Sequence, residues 1–182
     1  MSLWEVTAPT VEPVTLTEAK AHARVSDTSE DTWITSQITT AREWAETYTG
    51  RAFLTQTWDL KLDGFPACIE LPKPPAISVT SITYIDTAGN SQVMSSADYT
   101  TSLPTGPYAS PGYIVPVYGG TWPSIRSVPD AVIVRFVAGY GATAAAVPAM
   151  IKHAVQVRIA TMLDPLRESA VVGQPASRRG HH

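Results

Sequence analysis

The chain has 182 residues and a mass of 19.5 kDa, room for one domain of ordinary size or one compact body with an insertion, and not for two large domains. Hydrophobic residues make up 44% and charged residues 16%, which supplies a real core and excludes a disordered chain. A net charge of −3 and a pI near 5.8 argue against a protein whose main task is to hold nucleic acid, because phosphate binding needs a basic surface.

The charge is unevenly spread. Residues 1–50 carry three basic and eight acidic side chains, residues 51–150 carry five and six, and residues 151–182 carry five and two. An acidic head and a basic tail can attract each other or different partners. Cys68 is alone, so no disulfide and no cysteine zinc cluster can form within one chain, and a reduced, intracellular setting is expected. Residues 1–13 lack a basic start followed by an apolar core, and no window approaches the ~18 apolar residues that span a bilayer, so a soluble chain without a signal peptide is expected. Fifteen prolines, five tryptophans and seven tyrosines predict stiff turns and short strands rather than a pure helical bundle.

In chain order, Thr15-Leu16-Thr17-Glu18 has the spacing of a capping box and predicts a short helix over residues 16–24. Asp27-Thr28-Ser29-Glu30 starts a second helix, with Ile34, Ile38, Ala41, Ala45 and Tyr48 at helical spacing and Gly50 placed to end it. Trp33 and Trp44 lie off the centre of that stripe and are candidates for an interface with a neighbouring subunit or for an ordinary core edge. Beyond Gly50 the period changes to two. Trp58, Leu60 and Leu62 alternate with polar residues as in a half-buried strand, and a short strand follows over residues 69–71. Residues 77–86 form a longer strand whose apolar positions change parity near Thr80 and Ser81, the mark of a bulge. A turn at residues 86–90 lets residues 91–94 pair back. Residues 95–127 read mostly as loop, with one short strand at 113–117, and residues 131–138 form the strongest strand. Pro148 sits at the first turn of a last helix that is apolar at 150, 151, 154, 155, 157, 159, 162 and 163, and Pro165 is expected to stop it. A helix apolar on most sides must be covered on most sides, which makes Ile151 and Val155 candidates for a subunit seam.

The fold class is therefore α+β. Residues 1–50 form an N-terminal helical part, residues 51–141 an inserted antiparallel β body, residues 142–165 a C-terminal helix that completes a small bundle, and residues 166–182 an extended tail.

Chemistry is sparse. His22 and His153 fall in different helices and can approach one another, and neither they nor His181 and His182 have metal-ligand spacing, so no metal or cofactor is expected. The pair His181-His182 fits a native end or a purification tag equally. No G-x-S-x-G, P-loop, G-x-G-x-x-G or H-E-x-x-H pattern occurs, and Cys68 has no basic neighbour to activate it, so no catalytic residue is named and no enzyme is expected. Aromatic residues in loops 99–122 offer a stacking platform for a sugar or peptide, or they anchor those loops on the sheet.

Several segments together resemble a known family. These are Glu12-Pro13-Val14-Thr15-Leu16-Thr17-Glu18-Ala19-Lys20-Ala21-His22-Ala23-Arg24-Val25, then Ala41-Arg42-Glu43 and Thr49-Gly50-Arg51, Leu71-Pro72-Lys73-Pro74-Pro75, Val79-Thr80-Ser81-Ile82-Thr83-Tyr84-Ile85-Asp86 and Val134-Arg135-Phe136-Val137-Ala138-Gly139-Tyr140-Gly141. They resemble the tailed-phage head-to-tail connector family, also called adaptor or DNA-packaging connector proteins, in its longer form with a β insertion. The likeness covers about residues 10–165. It implies a virion structural protein at the neck of a phage, prophage or gene transfer agent particle, made in the bacterial cytoplasm. It also implies a ring, usually of twelve copies, bound beneath the portal protein, with a tail-side connector or stopper as its other neighbour and DNA passing through without specific binding. The family carries no catalytic residue, and its C-terminal segment commonly docks on the portal. That role falls here on Leu166, Arg167, Val171, Val172, Arg178 and Arg179. A small β-rich binding module for sugar or peptide, using loops 99–122, is the alternative.

Overall fold

A computed structural model describes the backbone of residues 1–172 and the side chains through Leu163. The elements are β1 (Ser2–Thr7), α1 (Leu16–Ala23), α2 (Asp31–Thr49), β2 (Gln56–Leu62), β3 (Ile69–Leu71), β4 (Ala76–Ile85), β5 (Ser91–Val93), β6 (Tyr99–Ser102), β7 (Gly112–Pro116), β8 (Val132–Ala138), a 3-10 turn (Ala144–Ala146) and α3 (Ala149–Val172). The α+β class holds.

The chain divides into two compact units. One joins Met1–Pro13 to Ala45–Pro148; the other joins Val14–Trp44 to the helix that begins at Ala149. The first thirteen residues thus belong with the sheets, not with a helical part over residues 1–50, because β1 pairs antiparallel with β2 from Ser2↔Lys61 to Thr7↔Thr57.

The sheet unit holds a five-stranded sheet in the order β1-β2-β8-β4-β5 and a three-stranded sheet in the order β3-β7-β6, each pair antiparallel. β8 is central because its sequence permits it: Val132, Val134, Phe136 and Ala138 all face the core and are fully buried. They pack with Leu60, Leu62 and Ile82 of the same sheet and with Ile69, Leu71 and Ile114 of the smaller one. Burying such side chains contributes about 1.5–3 kcal/mol each before conformational entropy is subtracted. The parity change read in β4 is a register shift between Val79 and Ser81, with a second between Ala76 and Ser78. β8 ends at Gly139, whose φ is +129° and whose missing Cβ would lie 2.2 Å from the Leu54 carbonyl oxygen. Only glycine fits there.

In the helical unit the capping box is complete. Thr15 Oγ1 accepts from the Glu18 amide at 3.2 Å, and Glu18 Oε2 accepts from the Thr15 amide at 2.8 Å. Of the expected stripe on α2, Ile34, Ile38, Ala41 and Ala45 are buried, while Tyr48 is 79% exposed and lies outside it. Gly50 ends that helix with φ +67°. α1 packs on α3, where Val155, Ile159 and Leu163 are buried.

Three expectations need correction. Pro165 does not stop α3, which runs on to Val172, so residues 166–172 are helical rather than an extended tail. An internal proline removes one amide donor and crowds one carbonyl, which weakens a helix without obliging it to end. Two strands were not anticipated: β1, and β6 inside the stretch read as loop. Residues 173–182 lie outside the described residues.

Candidate functional site

Asp59 and Arg135 sit directly opposite each other on β2 and β8, and two hydrogen bonds join them, Arg135 Nε to Oδ1 at 2.8 Å and Nη2 to Oδ2 at 2.7 Å. The bidentate carboxylate holds the guanidinium protonated more firmly than usual. Fixed in this way, the pair is a cross-strand clamp between β2 and β8. Glu46 Oε1 is buried and accepts from the Phe53 amide at 2.7 Å and from Gln56 Nε2 at 2.6 Å, which ties the end of α2 to the start of β2. Arg51 donates to the Ala109 carbonyl at 2.8 Å and to Tyr140 Oη at 3.1 Å, fastening loop 105–110 to the exit of β8.

His22 and His153 do meet, edge to face, with ring centroids 5.9 Å apart. Among the described residues no group of three or more His, Cys, Asp or Glu side chains could hold a metal ion. Next to the histidines, Glu18 joins α1 to α3 through Lys152 Nζ at 3.1 Å. Its carboxyl is held below the usual range, chiefly by the Thr15 amide of the capping box and then by Lys152.

The aromatic loops are used internally at their main residue. Trp122 stacks on Phe65 with centroids 4.7 Å apart and planes 8° from parallel, and its indole N–H donates to the Pro66 carbonyl at 2.7 Å. This is the anchoring arrangement. It lines an open groove of about 520 Å³ with Tyr84, Met94, Asp98 and Val117. Tyr108 and Tyr118 remain exposed at separate loop tips.

The residues expected at a subunit seam fall in different places. Trp33 and Ile151 are half-buried, and Trp44 is 46% exposed under the Arg158 guanidinium, which lies 4.6 Å from its ring centroid. Val155 is fully buried within the single chain and needs no neighbouring copy to cover it. Of the residues expected to reach the portal, Leu166, Arg167, Val171 and Val172 belong to the last turns of α3, while Arg178 and Arg179 lie outside the described residues.

What the geometry offers is a clamped two-sheet body and a small helical unit, an arrangement suited to holding shape and meeting neighbours. The family comparison agrees. Residues 13–104 match the family described as phage gp6-like head-tail connector protein, which is half of the chain, and the chain belongs to that family. It is a virion structural protein of the connector class and not an enzyme. Among solved structures, a chain from the virion of a native gene transfer agent (GTA) particle matches with a TM-score of 0.75 and 25% identity over 99% of this chain and 91% of that one. A chain from the neck of an empty GTA particle computed with C6 symmetry matches with a TM-score of 0.71 and 21% identity, over 100% and 89% of the two chains. A third, from the neck of a native GTA particle computed with C12 symmetry, gives 0.67 and 24% over 99% and 90%. The last two likenesses show the fold alone. No curated protein matches the chain. No described helix is long and apolar enough to cross a membrane.

Proposed function

We propose that the chain is the adaptor subunit of a particle neck: a ring of twelve copies seated beneath the portal protein, joined on its other side to a tail-side connector or stopper, with a channel through which DNA passes without specific binding. The observation that carries this reading is the near end-to-end likeness to a chain of a GTA virion, 99% of one chain on 91% of the other, in a member of the head-tail connector family. The copy number rests on the twelve-fold symmetry of the neck from which a chain of the same fold comes. The net charge of −3 suits a channel that phosphate does not stick to. The portal contact is assigned to the C-terminal segment, with Leu166, Arg167, Val171, Val172, Arg178 and Arg179 as its anchors.

Deleting the gene in cells that make the particles tests the role. Filled or partly filled heads and separate tails are expected, with joining restored by the full chain. Normally joined, DNA-delivering particles without the protein would overturn the reading. Removing residues 173–182 alone should leave the folded chain intact and abolish its attachment to heads; full attachment by the shortened chain would reassign the portal contact to other surfaces.

A further inference from the structure

Along α3, Val155, Ile159 and Leu163 recur every four residues and are buried, which marks the inward side. On the opposite side, at steps of four, three and four, lie Met150, Ala154, Val157 and Thr161, all exposed, Met150 by 67% and Val157 by 46%. A surface helix usually sets its charges at the centre of its water-facing side. Here Arg158 lies at its edge, directed to Trp44 on α2, the exposed His153 lies at the other edge against His22, and Lys152 falls toward the inward side, directed to Glu18 on α1. Thr161 adds no free donor to the stripe, since its hydroxyl donates to the Val157 carbonyl at 2.9 Å.

α2 presents a face of the opposite kind. Away from Ile34, Ile38 and Ala41 lie Ser36, Thr40 and Glu43, exposed and again four and three residues apart. Both hydroxyls are satisfied within the helix, Ser36 donating to the Trp33 carbonyl at 2.6 Å and Thr40 to the Ser36 carbonyl at 2.9 Å. Covering them therefore orphans no polar group, and their small size admits a second helix closely. The signs of charge also differ. On the outward face of α2 the exposed charge is Glu43, with Arg42 Nη2 at 3.6 Å, whereas residues 149–163 carry Lys152 and Arg158 and no carboxylate.

We infer that these faces are the two halves of one seam between copies of the chain: Met150, Ala154 and Val157 of one copy seat on Ser36 and Thr40 of the next, with Glu43 against the basic flank of the incoming α3. The inference rests on the ring reading, because a cyclic assembly needs two different patches per copy that fit each other, while a self-complementary patch stops at a dimer. A knob-bearing face edged by Arg158 and a small-residue face that carries Glu43 meet that need. The seam lies on the side of α3 opposite Val155.

The test uses full-length chain assembled in particles, in a Cys68→Ser background. Ala154→Cys and Thr40→Cys are placed together and oxidised with diamide, which takes up the two thiol hydrogens as each disulfide forms. A ladder of covalent multimers is expected, with neither single variant giving more than background. Particles that contain the ring but give no ladder overturn the seam and leave the ring reading standing. Dimers from Ala154→Cys alone show a self-paired face and also overturn it, and absence of the chain from particle necks removes both readings. As a second readout, Val157→Asp should cut incorporation into particles at least about tenfold, the scale of a central interface residue, with the thermal midpoint of the free chain unchanged. Wild-type incorporation of that variant would contradict the inference.

Discussion

In the sheet unit the three longest strands, β2, β4 and β8, are paired on both sides, and their large side chains Phe136, Leu60 and Ile82 are shut away from water together with Ile114 of the smaller sheet. The helical unit is built on a smaller scale. Its buried set includes Ala19, Ala23 and Ala41 beside Ile34, Ile38, Val155 and Ile159, and much of the rest is surface work: a capping box, the Glu18–Lys152 and Lys20–Asp31 ion pairs, and the Arg158–Trp44 contact. Exposed ion pairs contribute about 0–1 kcal/mol each and caps about 1 kcal/mol. The contrast teaches a division of labour in which the sheets supply rigidity from within, and the helices spend part of their apolar surface on the outside, where another copy can use it.

That contrast can be broken most strongly in the sheets. Phe136→Ala removes a fully buried ring at the centre of β8 and should cost about 3–5 kcal/mol, read from denaturant unfolding. A loss below about 1 kcal/mol would mean that the sheet core is not the main store of stability. Gly139→Ala comes next. A methyl group there meets the Leu54 carbonyl at 2.2 Å in a backbone region that disfavours side chains, so a loss of about 2 kcal/mol or more is expected in the same measurement.

The smallest effects belong to the helical unit. Thr15→Ala opens the capping box and should cost about 1 kcal/mol. Glu18→Gln should cost less and should remove a pH dependence. Because the Glu18 carboxyl titrates lower in the folded chain than in the unfolded one, its contribution is present above the unfolded value near pH ~4.3 and is lost as pH falls through the folded value. Wild type and Glu18→Gln should therefore converge in thermal midpoint as pH falls through the folded value of Glu18. Midpoints that stay equally far apart at every pH would remove the carboxylate from the account.

Much of this was legible in the residues because it is local. Thr15 and Glu18 are three apart and cap a helix wherever they occur, the alternation through Trp58, Leu60 and Leu62 marks one strand face, and the change of parity in β4 marks its bulge. What escaped is non-local or degenerate. β1 owes its existence to β2, fifty or more residues away at every paired position, and its own Leu3-Trp4-Glu5-Val6 has no alternation. Asp59 finds Arg135 across 76 residues, which no spacing rule reaches. In β6, Tyr99-Thr100-Thr101-Ser102 looks like loop until β7 pairs with it. On α3, residues 150, 151, 154, 155, 157 and 159 are all apolar, so periodicity cannot choose which side faces inward. The expected seam at Val155 fell on the buried side for that reason, and the exposed side carries Met150 and Val157.

Repetition of this chain around the neck of a particle is what the proposed function requires. Counting its copies per vertex, by quantitative mass spectrometry of purified particles together with a symmetry-free reconstruction of the neck, tests that most directly. Twelve copies in one ring between portal and tail are expected, the number proposed above. One or two copies per particle, or a position away from the neck, would contradict it.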